Sequence, residues 1–168
     1  MTFKNFREKV HGHNYQVAVR LLGSRNIGVD GYVVDFGDIK AVTKKVCKKL
    51  NESFLCPTLS DVMTVTLECQ DGGRENVKLV CEDGSLFLFP RQDCSMLPLV
   101  HSTTEELAIY LWGEILAGLD AAFLRKRGIH TMEVTVAEAA GQEALFRYHI
   151  PESGNCSLDV RKFIENGD

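Results

Sequence analysis

Two histidines separated by a single residue are the clearest candidates for chemistry in this chain. His11 and His13 flank Gly12, and Glu8 precedes the first of them by three residues. In a strand, residues two apart point the same way with Cα atoms about 6.6 Å apart, so both imidazoles could bind one metal ion at about 2.0–2.1 Å. Such a pair is more often an ordinary surface pair, and a catalytic zinc site normally takes three protein ligands. The motif alone is therefore a weak signal.

The composition is that of an ordinary globular domain. The 168 residues are 45% hydrophobic and 25% charged, enough for one domain with a sizeable core. A net charge of −4 argues against nucleic acid binding, which favours clustered basic surface. Because we find neither a membrane-spanning apolar run nor a secretory leader, we expect a cytoplasmic protein without membrane contact. The six cysteines contain no C-x-x-C pair and are interpreted as reduced thiols, with a reactive Cys56 as a minor alternative.

The residues after the histidine pair predict the elements that would position it. Hydrophobic residues alternate through Val17, Val19 and Leu21, and this strand pattern extends back to the histidines. A glycine-rich loop follows, and residues 32–35 are predicted to form a short apolar strand. Residues 36–50 have hydrophobic side chains at three-to-four spacing, which predicts the first helix.

The second half of the chain predicts another helix and a pair of strands. Ser102 and Glu105 match a capping box, and Gly128 matches the glycine that ends a helix, so one helix is expected between them. Alternating hydrophobic residues then predict antiparallel strands over 132–138 and 144–150.

The middle of the chain, residues 57–98, predicts a β-rich insertion between the two helices. Its three short β segments are separated by Asp-Gly turn signals. We therefore expect an α+β domain over residues 1–151, an antiparallel sheet with two helices on one face. Residues 152–168 are expected to form a C-terminal tail that frays.

Glu138 is the unusual member of an otherwise apolar row on the predicted strand over 132–138. Most glutamates at such a position reach solvent at the end of the strand. In a pocket, the same carboxylate could accept two hydrogen bonds from the N–H/NH2 edge that guanine and pterin rings both present. Both interpretations stay open at this point.

Four patches taken together resemble the 6-pyruvoyl-tetrahydropterin synthase family. They are residues 11–15 (His-Gly-His-Asn-Tyr), 31–40, 102–108 and 134–138, and they follow one another in the family's order. The resemblance implies the tunnelling fold, in which a four-stranded antiparallel sheet and two helices assemble into rings. A homo-oligomer, a trimer or a hexamer, with a small pterin substrate bound between subunits is therefore expected.

The resemblance also assigns residues to a site. It implies zinc held by three histidines, two of which match His11 and His13. Glu138 matches the glutamate that anchors the pterin ring. A further group of residues lies where family members help to seat the ring: Thr103, Thr104 and Glu105.

The acid/base position distinguishes branches of the family. Many members have a catalytic cysteine shortly before the histidine pair, and this chain has Glu8 there instead. That substitution resembles the type III branch, in which the glutamate is the acid/base. Those enzymes cleave the side chain of 7,8-dihydroneopterin triphosphate to give 6-hydroxymethyl-7,8-dihydropterin, whereas standard synthases eliminate triphosphate. If the strand simply continued backwards, however, Glu8 would face away from both histidines and would need a turn or bulge before them.

Two departures from the family pattern weaken the assignment. The family's first zinc histidine would fall upstream of Met1, so either the chain starts late or the site has lost a ligand and the sheet an edge strand. His101 is a conceivable replacement, although its place beside a helix cap favours a structural role. The family's Asp-His pair after the first helix is Asn51-Glu52 here, and Glu52 could still accept a proton.

Two functional hypotheses follow. The first is a zinc-dependent lyase that acts on 7,8-dihydroneopterin triphosphate, with Glu8 and Glu52 as catalytic candidates. The second is a catalytically inactive tunnelling-fold protein that binds a pterin-like ligand or serves as an oligomeric scaffold. The retained histidine pair favours the first hypothesis, and the missing third ligand favours the second.

Overall fold

The computed structural model describes residues 2–3, 6–70, 72–152 and 158–164. Its strands in chain order are β1 (Thr2–Phe3), β2 (Phe6–Arg7), β3 (Gln16–Gly23), β4 (Phe54–Pro57), β5 (Met63–Gln70), β6 (Arg74–Cys81), β7 (Leu86–Pro90), β8 (Cys94–Leu97), β9 (Ile129–Ala139) and β10 (Gln142–His149). Its helices are α1 (Phe36–Lys48), α2 (Thr104–Gly118), α3 (Ala121–Lys126) and α4 (Arg161–Ile164).

The central sheet has β9 in the middle, with β3 and β10 as antiparallel neighbours. Alternate residues of β9 form the core face, where Met132, Val134 and Val136 are fully buried. Three strands belong to this sheet in the described parts of the chain, one fewer than the resemblance implies. Consequently β3 and β10 each have one edge that pairs with no described strand.

Helix α2 covers one face of this sheet and forms most of the main core. Trp112 is completely buried, and its indole Nε1 donates a 2.7 Å hydrogen bond to the carbonyl oxygen of Met132. The ring also meets Phe146 and Tyr148 of β10 edge-on. Helix α1 packs on α2, so the sheet and both predicted helices form the expected α+β arrangement.

The prediction of the second helix is wrong about its N-cap and about its length. Thr103 caps α2 by accepting a hydrogen bond from the Glu106 amide, so the cap lies one residue later than the predicted Ser102. The helix also ends at Gly118, and Asp120 caps the separate helix α3. Since Asp120 is an effective N-cap, a second helix begins where periodicity alone predicted continuation. Gly128, at φ +80°, terminates α3 as predicted.

The predicted β-rich insertion forms an antiparallel sheet of β5, β6 and β7 in that order. The sequence did not predict the parallel pair of β4 and β8, which flanks this sheet in the chain. Together these strands enclose a second small core: Cys56, Val77, Leu79 and Cys94, with Phe54, Val65, Phe87, Phe89 and Met96 against it. Burial, and secondly the Cys94 thiol, raise the pKa of Cys56 to about 11, which argues against a reactive role.

One further prediction is corrected. Residues 32–35 form no strand, because Asp35 caps α1 and the Arg127 side chain binds the carbonyl oxygen of Val33. In the predicted tail, Val160 is buried in the main core, and Phe163 packs edge-on against aromatic rings of β10. That the tail frays stays a prediction, and its residues 153–157 and 165–168 lie outside the described residues.

None of the helices in the described residues is long and apolar enough to cross a membrane.

Candidate active site

Residues 8–15, which we call the histidine loop, connect β2 to β3 without regular secondary structure. The prediction that His11 and His13 lie on the strand is therefore wrong, because β3 begins only at Gln16. Their rings nevertheless converge, with centroids 4.5 Å apart in an edge-on arrangement. The loop conformation brings the two imidazoles together as the expected strand would have done.

Each imidazole has an oxygen acceptor close to its Nδ1 atom, through a hydrogen bond for His11 and an ion-pair contact for His13. His11 Nδ1 lies 2.6 Å from the carbonyl oxygen of Lys9, and His13 Nδ1 lies 2.9 Å from Oε1 of Glu138. A carbonyl oxygen and a carboxylate can only accept here, so both Nδ1 atoms carry the hydrogen. In the neutral tautomer, each Nε2 then presents a lone pair. Metal-binding histidines have this arrangement, with the second ring nitrogen donating to a carbonyl or carboxylate.

Strand pairing places Glu138 beside the histidine loop. Because β3 and β9 are antiparallel, the residues that precede β3 lie next to the end of β9, where Gln16 pairs with Ala137. Glu138 follows the buried Val134 and Val136, and its side chain is one-third exposed. The pocket interpretation of this carboxylate is thus consistent with its position near an imidazole.

Glu8 and Tyr15 complete the same neighbourhood. The charges of His11 and His13 are the smallest of the influences that lower the pKa of the Glu8 carboxyl. Burial, followed by the negative charges of Glu138 and Glu8, raises the pKa of the Tyr15 phenol. The half-buried Tyr15 phenol therefore lies within electrostatic reach of Glu8 on the loop and of Glu138 on β9.

Only two imidazoles converge at this point. In the parts of the chain that the structure describes, no group of three histidine, cysteine, aspartate or glutamate side chains could hold a metal ion. Nε2 of His101, the conceivable third ligand, lies 3.7 Å from Oδ1 of Asp61. His130 and His149 both contact the hydroxyl of Thr131 instead.

Several predicted site residues lie apart from the histidine loop within one chain. Glu52 is exposed in the turn after α1, at φ +54°. Thr103 caps α2, and the Thr104 hydroxyl donates to Glu105 at 3.1 Å. Across the described residues, no hydrogen bond or ion pair joins these four residues to His11, His13 or Glu138.

Sequence reasoning missed the buried glutamate at the start of α2. Glu106 is 5% exposed, and its carboxylate accepts hydrogen bonds from the amides of Val100 and His101. The threonine three residues before it was the available signal, since Thr103-x-x-Glu106 matches the capping-box spacing as well as the predicted pair does. Its partners are backbone amides, so its role is to fix the entry to α2.

Comparison with known proteins gives a consistent result over most of the chain. The model of the 6-pyruvoyl tetrahydropterin synthase family matches residues 3–149. A protein of Methanocaldococcus jannaschii, provisionally named 6-carboxy-5,6,7,8-tetrahydropterin synthase, is 30% identical over 141 residues. This match covers 84% of the chain and 81% of the relative.

Solved structures extend the likeness to three dimensions. The crystal structure of 6-pyruvoyl tetrahydropterin synthase from Plasmodium vivax is 43% identical, with a TM-score of 0.81 over 88% of this chain and 86% of that one. The Plasmodium falciparum enzyme is 38% identical with a TM-score of 0.79 over the same shares. Variants of the P. vivax protein, in which a glutamate named as a catalytic residue is replaced, match equally well. The tunnelling fold is therefore confirmed.

Proposed function

This chain belongs to the 6-pyruvoyl tetrahydropterin synthase family, and we propose that it is a zinc-dependent lyase acting on 7,8-dihydroneopterin triphosphate. The observation that carries the proposal is the orientation of the two imidazoles. The Nδ1 atoms of His11 and His13 are both engaged, which leaves both Nε2 atoms for a metal ion beside Glu8 and Glu138. A site with this chemistry suits either triphosphate elimination or cleavage of the substrate side chain.

His11 and His13 would hold the zinc ion through their Nε2 atoms. When bound, zinc polarises a hydroxyl or carbonyl oxygen of the substrate side chain as a Lewis acid. The contact of Glu138 with His13 Nδ1 would keep that ring in the binding tautomer. The Lys9 carbonyl does the same for His11.

Glu8 would move the proton in this reaction. It is an exposed carboxylate close enough to both imidazoles to interact with their charges. A carboxylate in that position can remove a proton from the substrate side chain and return it at a later step. Support also comes from the P. vivax enzyme, for which a glutamate is named as a catalytic residue.

Glu138 would serve both the metal ligand and the pterin ring. One of its oxygens lies 2.9 Å from His13 Nδ1, and a carboxylate has about four lone-pair sites in all. The remaining sites could accept the N–H/NH2 edge of the ring. The side chain is one-third exposed, so this edge could approach from solvent.

The remaining site residues would be contributed by assembly. Glu52, Thr103, Thr104 and Glu105 do not contact the histidine loop within one chain, whereas the family resemblance places sites between subunits. The edges of β3 and β10 that pair with no described strand offer the backbone groups for such an assembly, because one copy's β10 can pair with the next copy's β3. We therefore propose a trimer or a hexamer in which neighbouring copies complete each site.

Product analysis with 7,8-dihydroneopterin triphosphate tests the proposed reaction. Zinc-loaded protein should consume the substrate, and chromatography of the pterin products should separate the two reaction types. Formation of 6-hydroxymethyl-7,8-dihydropterin would identify side-chain cleavage, and release of inorganic triphosphate with a 6-pyruvoyl product would identify elimination. Unchanged substrate in the presence of a folded, zinc-loaded oligomer would reject the enzymatic proposal.

One observation favours a second candidate function. The described residues provide two imidazoles and no third ligand, so a protein that only binds a pterin-like ligand or serves as an oligomeric scaffold is the alternative. Such a protein would still need Glu138 for the ring. Saturable pterin binding without turnover, lost on replacing Glu138 by alanine, would support this alternative.

A further inference from the structure

We propose that Arg7 is a positioning residue, which fixes Glu8 by fastening the start of the histidine loop to the turn between β6 and β7. The proposal rests on the proposed function, because it gives Glu8 the role of acid/base. It also assigns a task to the β-rich insertion, which supplies the other half of the contact. Three kinds of interaction made by one guanidinium carry the inference.

The Arg7 side chain bridges the loop and the insertion. Its Nε lies 3.1 Å from Oδ2 of Asp83 and 3.2 Å from the hydroxyl oxygen of Ser85. Its guanidinium carbon lies 5.3 Å from the centre of the Phe87 ring, within the range of a cation–π contact. Its Nη1 donates a 3.1 Å hydrogen bond to the backbone carbonyl of Glu8. The guanidinium thus binds the insertion on one side and the backbone of the catalytic candidate on the other.

The turn that receives Arg7 is also held by hydrogen bonds of its own. Asp83 accepts hydrogen bonds at 2.9 Å from both the amide and the hydroxyl of Ser85. The turn is closed by the hydrogen bond from the Cys81 amide to the Ser85 carbonyl and by Gly84 at φ +78°. These bonds lower the pKa of the Asp83 carboxyl, with Arg7 as a smaller contributor, so the carboxylate stays charged at neutral pH.

The turn is also anchored to the second core. Phe87 stacks on Phe89 with centroids 6.2 Å apart, and Phe89 stacks on Phe54 at 4.6 Å. These rings pack against the fully buried Val77 and the nearly fully buried Leu79 of the central strand β6. Arg7 is therefore fastened to a packed part of the molecule.

Residues 8–14 of the histidine loop are exposed, and residues 8–15 contain no helix or strand. His13 and Tyr15 connect the far end of the loop to the sheet and the main core. The Arg7 contact restrains the near end, where Glu8 lies. A shift of about 1 Å in a catalytic group can cost about 10²-fold in rate, so this restraint matters for turnover.

Limited proteolysis tests the restraint without any need for activity. Trypsin cleavage after the exposed Lys9 should be roughly ten-fold faster in Arg7→Ala and in Asp83→Ala, because the loop opens more often. Lys78→Ala is the matched control, because Lys78 forms a comparable 2.8 Å ion pair with Glu68 in the same insertion and has no described contact with the loop. Unchanged cleavage after Lys9 in both test variants, with the fold intact by circular dichroism, would overturn the proposal.

Steady-state kinetics test the effect on Glu8. Arg7→Ala should lower kcat by about 10-fold to 10²-fold and change KM less than about two-fold, whereas Lys78→Ala should change neither. In a Glu8→Gln background, Arg7→Ala should cause no further loss, since the residue it positions no longer acts.

An equal loss in both backgrounds, or faster cleavage after Lys9 without a loss of kcat, would contradict the positioning role. If Glu8→Gln itself left turnover unchanged, or the wild type had none, the proposed function would fail instead. The proteolysis result would still decide whether Arg7 restrains the loop.

Discussion

The candidate site joins two regions of very different construction. Glu138 lies on the central strand β9, which pairs with a strand on each side. The side chains of Met132 and Val134 on the same strand are buried in the core. His11 and Glu8 lie on an exposed loop with no regular secondary structure. The two regions meet where His13 Nδ1 lies 2.9 Å from Oε1 of Glu138 and where Tyr15 packs against the main core.

The difference indicates a division of labour. The sheet supplies a carboxylate on a strand that is paired on both sides, and catalytic groups on helices and strands are placed more accurately than those on loops. The loop supplies groups whose positions depend on a few hydrogen bonds and a guanidinium. We therefore expect substitutions in the loop to change chemistry more than stability, and substitutions under the sheet to do the reverse.

Glu8→Gln should have the largest effect on the loop side. Removing a general acid/base typically costs about 10²-fold to 10⁴-fold in turnover, and glutamine cannot accept the proton. Zinc content and melting temperature should remain near wild type, because Glu8 is exposed and is not proposed as a ligand. Glu75→Gln, an exposed glutamate of the insertion, is the control. Retained turnover in Glu8→Gln would remove this residue from the mechanism.

Trp112→Ala should act on the sheet region, where its main effect should be a loss of stability. The completely buried indole supports β9 from below and donates to the Met132 carbonyl, so its loss should cost about 3–5 kcal/mol in the free energy of unfolding. Chemical denaturation would measure this loss. Per folded molecule, turnover should change far less than in Glu8→Gln. A turnover loss as large as that of Glu8→Gln, with little destabilisation, would contradict the division of labour.

Glu138→Ala tests the contact through which the sheet orients His13 of the loop. Loss of a carboxylate that orients a metal-binding histidine typically weakens metal affinity by about 10-fold to 100-fold. Glu138→Gln is the matched control, because its amide oxygen can still accept from His13 and should lose less. Competition with a chelator would measure both affinities. Equal zinc affinity in wild type and Glu138→Ala would show that this contact does not orient the ligand.

A smaller effect concerns a second loop that is held more firmly than the histidine loop. Asp30 accepts two 2.9 Å hydrogen bonds from Arg127, and these chiefly lower the pKa of its carboxyl. A lowered pKa means that this stabilisation is present above the ordinary value of 3.8 and disappears as the pH falls through the lowered value. Asp30→Asn should therefore flatten the loss of stability below about pH 4. If the melting temperature of Asp30→Asn fell with decreasing pH as steeply as that of the wild type, this prediction would be wrong.

The sequence predicted those parts of the fold that depend on local patterns. Helix α1 has a clear apolar periodicity and an Asp35 cap, and β5 to β7 are separated by recognisable turns. The predicted start of β3 was wrong because the alternation of hydrophobic and polar side chains continues into the histidine loop, whereas the pairing with β9 ends at Gln16. Periodicity describes which residues could form a strand, whereas the neighbouring strand decides which residues do.

Long-range features were beyond such patterns. The parallel pairing of Phe54 with Cys94 joins residues that are far apart in sequence, so no local signal announces it. For the site, His11, His13, Glu8 and Glu138 could be identified by type and by resemblance. Their mutual geometry could not, because it arises from strand pairing and from the loop's own hydrogen bonds. Arg7 carried no motif and became visible only through its contacts.

Zinc content per subunit is the measurement that tests the central claim most directly. We predict about one zinc per subunit in the wild type, as expected for a catalytic site, with most of it lost in both His11→Ala and His13→Ala while the fold remains intact. His130→Ala is the control, because that ring contacts Thr131 and should not affect the metal. A folded wild-type protein without zinc, or one whose zinc survives both substitutions, would contradict the account.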